Sequence, residues 1–127
     1  ETKNILAIDS PSGYTNEVAD YVMGEYKKLG YEPKLTVKGG VLVPIGGRDK
    51  ENAVLLEAHI DTLGAMVAEI KANGRLRVTA VGGMNANNAE GENCKVVTRF
   101  NGKYDGTFTV YLALSFDQRF HSCKRRI

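Results

Sequence analysis

Cysteine is scarce in this sequence: Cys94 and Cys123 are the two present among 127 residues. Two cysteines make neither a disulfide framework nor a cysteine metal cluster, so a reducing, cytoplasmic setting is the default expectation. Long apolar runs are missing as well. No stretch approaches the roughly 20 apolar residues that a helix needs to cross a bilayer, so no membrane partner is expected. The opening Glu1-Thr2-Lys3-Asn4 lacks the basic region and apolar core of a secretory leader. A broad basic surplus is the third absence. The formal net charge is +2, from 17 basic and 15 acidic residues. Residues 113–127 hold Arg119, Lys124, Arg125 and Arg126 against Asp117 alone, which leaves the body slightly acidic. Such a body does not suit nucleic acid, and the basic tail reads as a solvated terminus. What remains is ordinary: 43% apolar and 25% charged residues, enough for one modest domain or parts of two.

Hydrophobic period organises the chain into two textures. The start reads as loop, with turn chemistry at Ser10-Pro11-Ser12-Gly13-Tyr14. Thr15 then suits an N-cap, with Glu17 in the first turn where the helix dipole favours a carboxylate. Val18, Val22, Tyr26 and Leu29 recur at helical spacing, Lys27 and Lys28 sit in the last turn, and Gly30 is the expected stop. From residue 31 the period falls to two. Residues 32–38 predict a strand, Gly39-Gly40 a tight turn, and 41–45 a short apolar piece interrupted by Pro44. After a polar turn over 46–50, Ala53-Val54-Leu55-Leu56 is apolar on both faces, the pattern of a strand covered on two sides. Beyond residue 64 the texture changes. Residues 65–71 and 75–81 alternate around Asn73-Gly74, a strong hairpin signal. Residues 84–93 read as an Asn-rich loop, and 95–100 and 107–114 as two further strands. The expected fold class is mixed, α+β or α/β: one helix with strands, followed by an antiparallel β module.

The chemistry concentrates at His59-x-Asp61, where polar residues arrive abruptly after a buried-strand pattern; in open α/β sheets, sites form at such strand ends. Imidazole is a favoured metal ligand, and a carboxylate two residues on can fix its tautomer. The same pattern also arises from a histidine that merely hydrogen-bonds at a strand end. Other candidates carry less. His121-x-Cys123 lacks a second pair of ligands. Glu90 and Glu92 suit solvated loop charges better than a carboxylate pair. Gly39-Gly40 and Gly46-Gly47 flank strands rather than open a helix, so they are turns and not phosphate loops. No serine nucleophile elbow is present, and Cys94 has no evident histidine partner.

Three separated runs carry a family resemblance: Ile8-Asp9-Ser10-Pro11-Ser12-Gly13-Tyr14, then Lys38-Gly39-Gly40-Val41-Leu42-Val43-Pro44-Ile45-Gly46-Gly47, then Ala58-His59-Ile60-Asp61-Thr62-Leu63-Gly64. In order and spacing they resemble the N-terminal third of the M42 metallo-aminopeptidases, the glutamyl and tetrahedral aminopeptidase type, over residues 3–112. The resemblance implies an α/β catalytic domain interrupted, soon after the A-H-x-D run, by a β-rich dimerisation domain. It therefore implies residues 1–63 as catalytic-domain portion, 64–114 as partial dimerisation domain and 115–127 as an atypical basic tail. It also implies two divalent ions, zinc or cobalt, that polarise the scissile carbonyl and bind the attacking water, with a glutamate as general base. Matched position by position, His59 corresponds to a ligand of the first metal and Asp61 to the catalytic carboxylate that orients it. The family's remaining ligands have no counterpart here, and a catalytic zinc alone takes three protein ligands.

The expectation is therefore an aminopeptidase that removes N-terminal residues from peptides, with this chain an incomplete and inactive fragment. Thr62 stands where many relatives carry glutamate, and the residues after Leu112 depart from the family pattern, as a shifted reading frame would make them. The alternative expectation is a non-catalytic, self-associating β module, a truncated dimerisation domain; a homo-oligomer is expected on either reading. A nucleic-acid role for Arg119 and Lys124-Arg125-Arg126 ranks third. Glycoside chemistry is disfavoured, because no paired carboxylates stand at a strand end.

Overall fold

A computed structural model describes residues 1–49, 51–110 and 118–121, with backbone alone for Val110 and Gln118–His121. The chain divides into two compact units, Glu1–Thr62 and Leu63–Ile127. Helices and antiparallel strands are mixed, as the composition pattern predicts. No helix among the described residues is long and apolar enough to cross a membrane.

The first unit is built around helix α2, Asn16–Lys28; a short helix α1, Thr2–Leu6, precedes it where a loop was expected. Thr15 occupies the N-cap position, yet its side chain makes no capping hydrogen bond; Glu17 lies in the first turn as expected. The C-terminus is better secured. Gly30 takes φ +86°, its N–H donates to the Lys27 carbonyl at 2.9 Å, and the Tyr31 N–H donates to the Tyr26 carbonyl at 3.1 Å. These paired bonds are a Schellman stop, which needs a left-handed residue and therefore favours glycine. The apolar contact that accompanies such stops is present too: the Tyr26 and Tyr31 rings meet edge to face, with centroids 6.1 Å apart. On the inner side, Val18 and Ala19 are buried.

Strands β1, Lys34–Leu35, and β2, Val41–Leu42, pair antiparallel as a hairpin far shorter than the alternation predicts. Gly39 turns it with φ +81°, and the Gly40 N–H donates to Thr36 Oγ1 at 2.9 Å. Asp49 then folds the next turn by accepting from the Glu51 and Asn52 N–H groups at 2.9 and 3.1 Å. Ala53–Leu56 is the main correction. It joins no strand ladder, and Val54, Leu55 and Leu56 are 95%, 72% and 95% exposed. The pattern encodes a strand that needs neighbours on both faces, and the described residues supply none.

The second unit holds a five-stranded antiparallel sheet, ordered β3-β4-β7-β6-β5. Its strands are β3, Gly64–Ile70; β4, Leu76–Val81; β5, Asn93–Val97; β6, Lys103–Val110; and β7, Gln118–His121. The β3–β4 hairpin turns at Gly74, φ +77°, where Asn73-Gly74 predicts it. A register shift between Val67 and Glu69 interrupts this ladder. Two findings differ from expectation. Ala86–Ala89 forms a one-turn helix α3, because the Asn85 side chain accepts from the Asn87 N–H at 3.0 Å and caps it. Residues 118–121, placed by composition in the basic tail, form β7 between β4 and β6. Residues 111–114 of the expected last strand lie outside the described residues. Val78 and Ala89 are buried in this unit.

Gly82 gives a direct test of this unit. Its φ is +77°, and a Cβ there would stand 2.7 Å from Leu63 Cδ2. Gly82→Ala should lower stability by about 1–2 kcal/mol, the cost of a left-handed alanine. Chemical denaturation measures it, and adding Leu63→Ala should recover the part due to the close contact but not the part due to the backbone.

Candidate functional site

The site grows from a turn in the first unit. Pro11 presets the chain, Gly13 adopts φ +87°, and the Tyr14 N–H donates to the Pro11 carbonyl at 2.7 Å. That turn sets Ser10 and Ser12 against residues 60–62. Pro11 bridges Thr62 in parallel sense. The Thr62 N–H donates to the Ser10 carbonyl at 2.8 Å, and the Ser12 N–H to the Thr62 carbonyl at 3.3 Å. Ser10, 2% exposed, donates its hydroxyl to the Ile60 carbonyl at 3.0 Å. Burying a hydroxyl is costly unless it is bonded, so that contact fixes the backbone beside Asp61.

His59 and Asp61 meet on this support. His59 Nδ1 lies 3.1 Å from Asp61 Oδ1 and 3.0 Å from the Asp61 backbone carbonyl. A backbone carbonyl can only accept, so Nδ1 carries a proton, which leaves Nε2 as the other ring nitrogen. On the far side of the carboxylate, Ser12 Oγ donates to Asp61 Oδ2 at 2.6 Å. The Ser12 hydroxyl, more than the His59 ring, holds the Asp61 carboxyl below its ordinary value. The imidazole itself stands in solvent, with its side chain 87% exposed.

As a donor set these residues suit one metal ligand with its orienting carboxylate. They do not suit a two-ion centre: among the described residues no group of three His, Cys, Asp or Glu side chains comes together. Ser10 and Ser12 were not singled out as site residues by sequence reasoning; the signal was Ser-Pro-Ser-Gly, whose turn presents one hydroxyl inward and one toward Asp61.

The other candidates belong to the second unit. Glu90 caps the end of α3, and the Glu92 carbonyl accepts from the Phe108 N–H at 3.0 Å, so their backbones serve the β module. Cys94, half-buried on β5, has its thiol pushed up to about 11 by burial and by the Asp105 charge. His121 lies on β7, paired with Thr107; Cys123 lies outside the described residues.

Comparison with known proteins points one way. The family model described as M42 glutamyl aminopeptidase matches residues 39–119. YhfE of Bacillus subtilis (strain 168) is 41% identical over 109 residues, covering 86% of this chain and 32% of that protein. The glutamyl aminopeptidase of Lactococcus lactis subsp. cremoris (strain MG1363) is 35% identical over 101 residues, covering 78% and 28%. Among solved structures, PhTET1-12s, a dodecamer in its asymmetric unit, matches with TM-score 0.80 at 26% identity, covering 94% of this chain and 37% of its own. Aminopeptidase APDkam598 from the archaeon Desulfurococcus kamchatkensis shares the fold with TM-score 0.78 at 23% identity, covering 93% and 35%. The chain spans about a third of the length of these curated relatives.

Two outcomes are expected from the electrostatics. In a carbon-detected NMR titration Asp61 should ionise below the ordinary aspartate range, and Ser12→Ala should move it upward. The sign follows from the direction of the shift: this stabilisation is present above the unfolded-state value and is lost as pH falls through the lower folded value. In a Cys123→Ser background, Cys94 should react with iodoacetamide near neutral pH about a hundredfold more slowly than an unperturbed thiol, because its thiolate fraction is that much smaller. Mass spectrometry over a time course reads the rate.

Proposed function

Because the chain belongs to the M42 glutamyl aminopeptidase family, we propose that it contributes one metal ligand and its orienting carboxylate to an aminopeptidase that removes N-terminal residues from peptides. One observation supports this most: Asp61 accepts at Nδ1 of His59, which leaves Nε2 as the free donor atom. His59 is the ligand and Asp61 the carboxylate that sets its tautomer. Zinc or cobalt is the expected ion, and the described residues gather no further ligands around His59 to complete a catalytic site. Residues 1–63 belong to the catalytic domain and 64–114 to part of a dimerisation domain, whose sheet also takes in β7, Gln118–His121. In this reading the isolated chain orients one donor and does not hydrolyse peptides.

A second reading has its own support. Strands β3 and β5 are the outer strands of the five-stranded sheet, and Met66 and Ile70 on β3 are 61% and 75% exposed. Outer strands with apolar side chains recruit other strands, which suits self-association into a homo-oligomer. The two readings are compatible, since a β module can assemble a peptidase.

Zinc or cobalt titration of the 127-residue chain tests the first. Uptake should be weak, lost in His59→Ala, and reduced about 10–100-fold in Asp61→Asn. The chain alone should free no amino acid from a mixture of short peptides. Metal uptake indifferent to His59→Ala, or peptide hydrolysis by the chain alone, would remove the partial-site reading. For the second, sedimentation should show dimers or larger species; a strictly monomeric chain at high concentration counts against it.

A further inference from the structure

Two serines of one turn hold residues 60–62, and they do different work. Ser10 is buried and bonds backbone to backbone and hydroxyl to carbonyl, so it places the main chain on either side of Asp61. Ser12 is exposed, and its hydroxyl reaches a side chain, Asp61 Oδ2, 2.6 Å away. A carboxylate has two oxygens and a torsion that rotates freely when unpaired. With Oδ2 held by Ser12, Oδ1 faces His59 Nδ1 at 3.1 Å.

The His59 side chain stands mostly in water, so packing does not choose its orientation. The Nδ1 proton is shared between Asp61 Oδ1 and the Asp61 backbone carbonyl, and only the first of these depends on a side-chain torsion. We infer that Ser12 is a positioning residue for His59: by anchoring Asp61 Oδ2 it keeps Oδ1 on the Nδ1 side of the imidazole, so that Nε2 is the nitrogen presented to a ligand. The significance of the role rests on reading His59 as a ligand, whereas its geometry does not.

The test uses the metal-free 127-residue chain with 15N-labelled histidine. Long-range 1H–15N correlation spectra near pH 8 report which ring nitrogen carries the proton, and His59→Ala assigns the signals. The unsubstituted chain should show Nδ1–H with Nε2 unprotonated. In Ser12→Ala the ratio of Nδ1–H to Nε2–H should fall about threefold or more, the equilibrium value of one net hydrogen bond. Ser12→Thr, which keeps the hydroxyl, should restore it. The Ser12 N–H bond to Thr62 does not involve the side chain, so Ser12→Ala should leave the backbone spectrum native. A native spectrum with an unchanged tautomer ratio overturns the inference. So does loss of the native spectrum in Ser12→Ala with retention in Ser12→Thr, because Ser12 would then hold the fold rather than the ring. Zinc added afterwards tests ligation separately: a tautomer that depends on Ser12 beside a His59 that ignores zinc would defeat the proposed function and leave this role standing.

Discussion

Residues 60–62 are held by four hydrogen bonds to a turn about 50 positions earlier, and the candidate site exists only while those bonds persist. Closing a flexible loop of that length costs on the order of 3–4 kcal/mol. Four hydrogen bonds at about 1 kcal/mol net each do little more than match that cost. The placement of Asp61 therefore has little margin, and two features of the turn protect it. Gly13 allows the positive φ that closes the turn, and Ser10 is so well buried that releasing its partner would leave an unsatisfied hydroxyl. The penalty for opening is thus larger than the gain on forming, which is the asymmetry that keeps a marginal contact in place.

The apolar residues just before the site make the opposite point. Val54, Leu55 and Leu56 lead into His59, and their exposure means they contribute almost no burial within this unit. At about 25 cal/mol per Å² of apolar surface, that is a large driving force left unused. Relatives about three times as long have chain to spend on covering such a segment. The core of the first unit rests instead on Val18 and Ala19 of α2, a helix fixed at its C-terminus by the Gly30 stop and the Tyr26–Tyr31 contact.

Where local physics decided the structure, the sequence was legible. The α2 stop, the Asn73-Gly74 hairpin and the Gly39 turn all follow from one residue's tolerance of positive φ. Where partners decided it, the reading failed. Ala53–Leu56 has the composition of a strand, but a strand is defined by its neighbours. Gln118–His121 sits in a basic, cysteine-bearing stretch and still pairs on both sides. The His59–Asp61 pair was visible because two-residue spacing is local. The serines were not, because no periodicity links positions 10 and 12 to position 61.

The division of labour in the site follows from the same distinction between local and distant. A largely exposed imidazole binds a metal only after giving up its rotational freedom, and ordering one side chain costs about 0.5–1.5 kcal/mol. Asp61 can meet that cost in advance, since a ring already held at Nδ1 loses less on ligation. Asp61 does so best when its own carboxylate is held. Ser12 Oγ, from another part of the chain, holds it at Oδ2. A remote turn thereby sets which nitrogen of His59 faces outward. A single ordered donor remains a poor metal site, so the value of this preorganisation lies in what other ligands would add to it: each further donor would bind an ion already directed by Nε2.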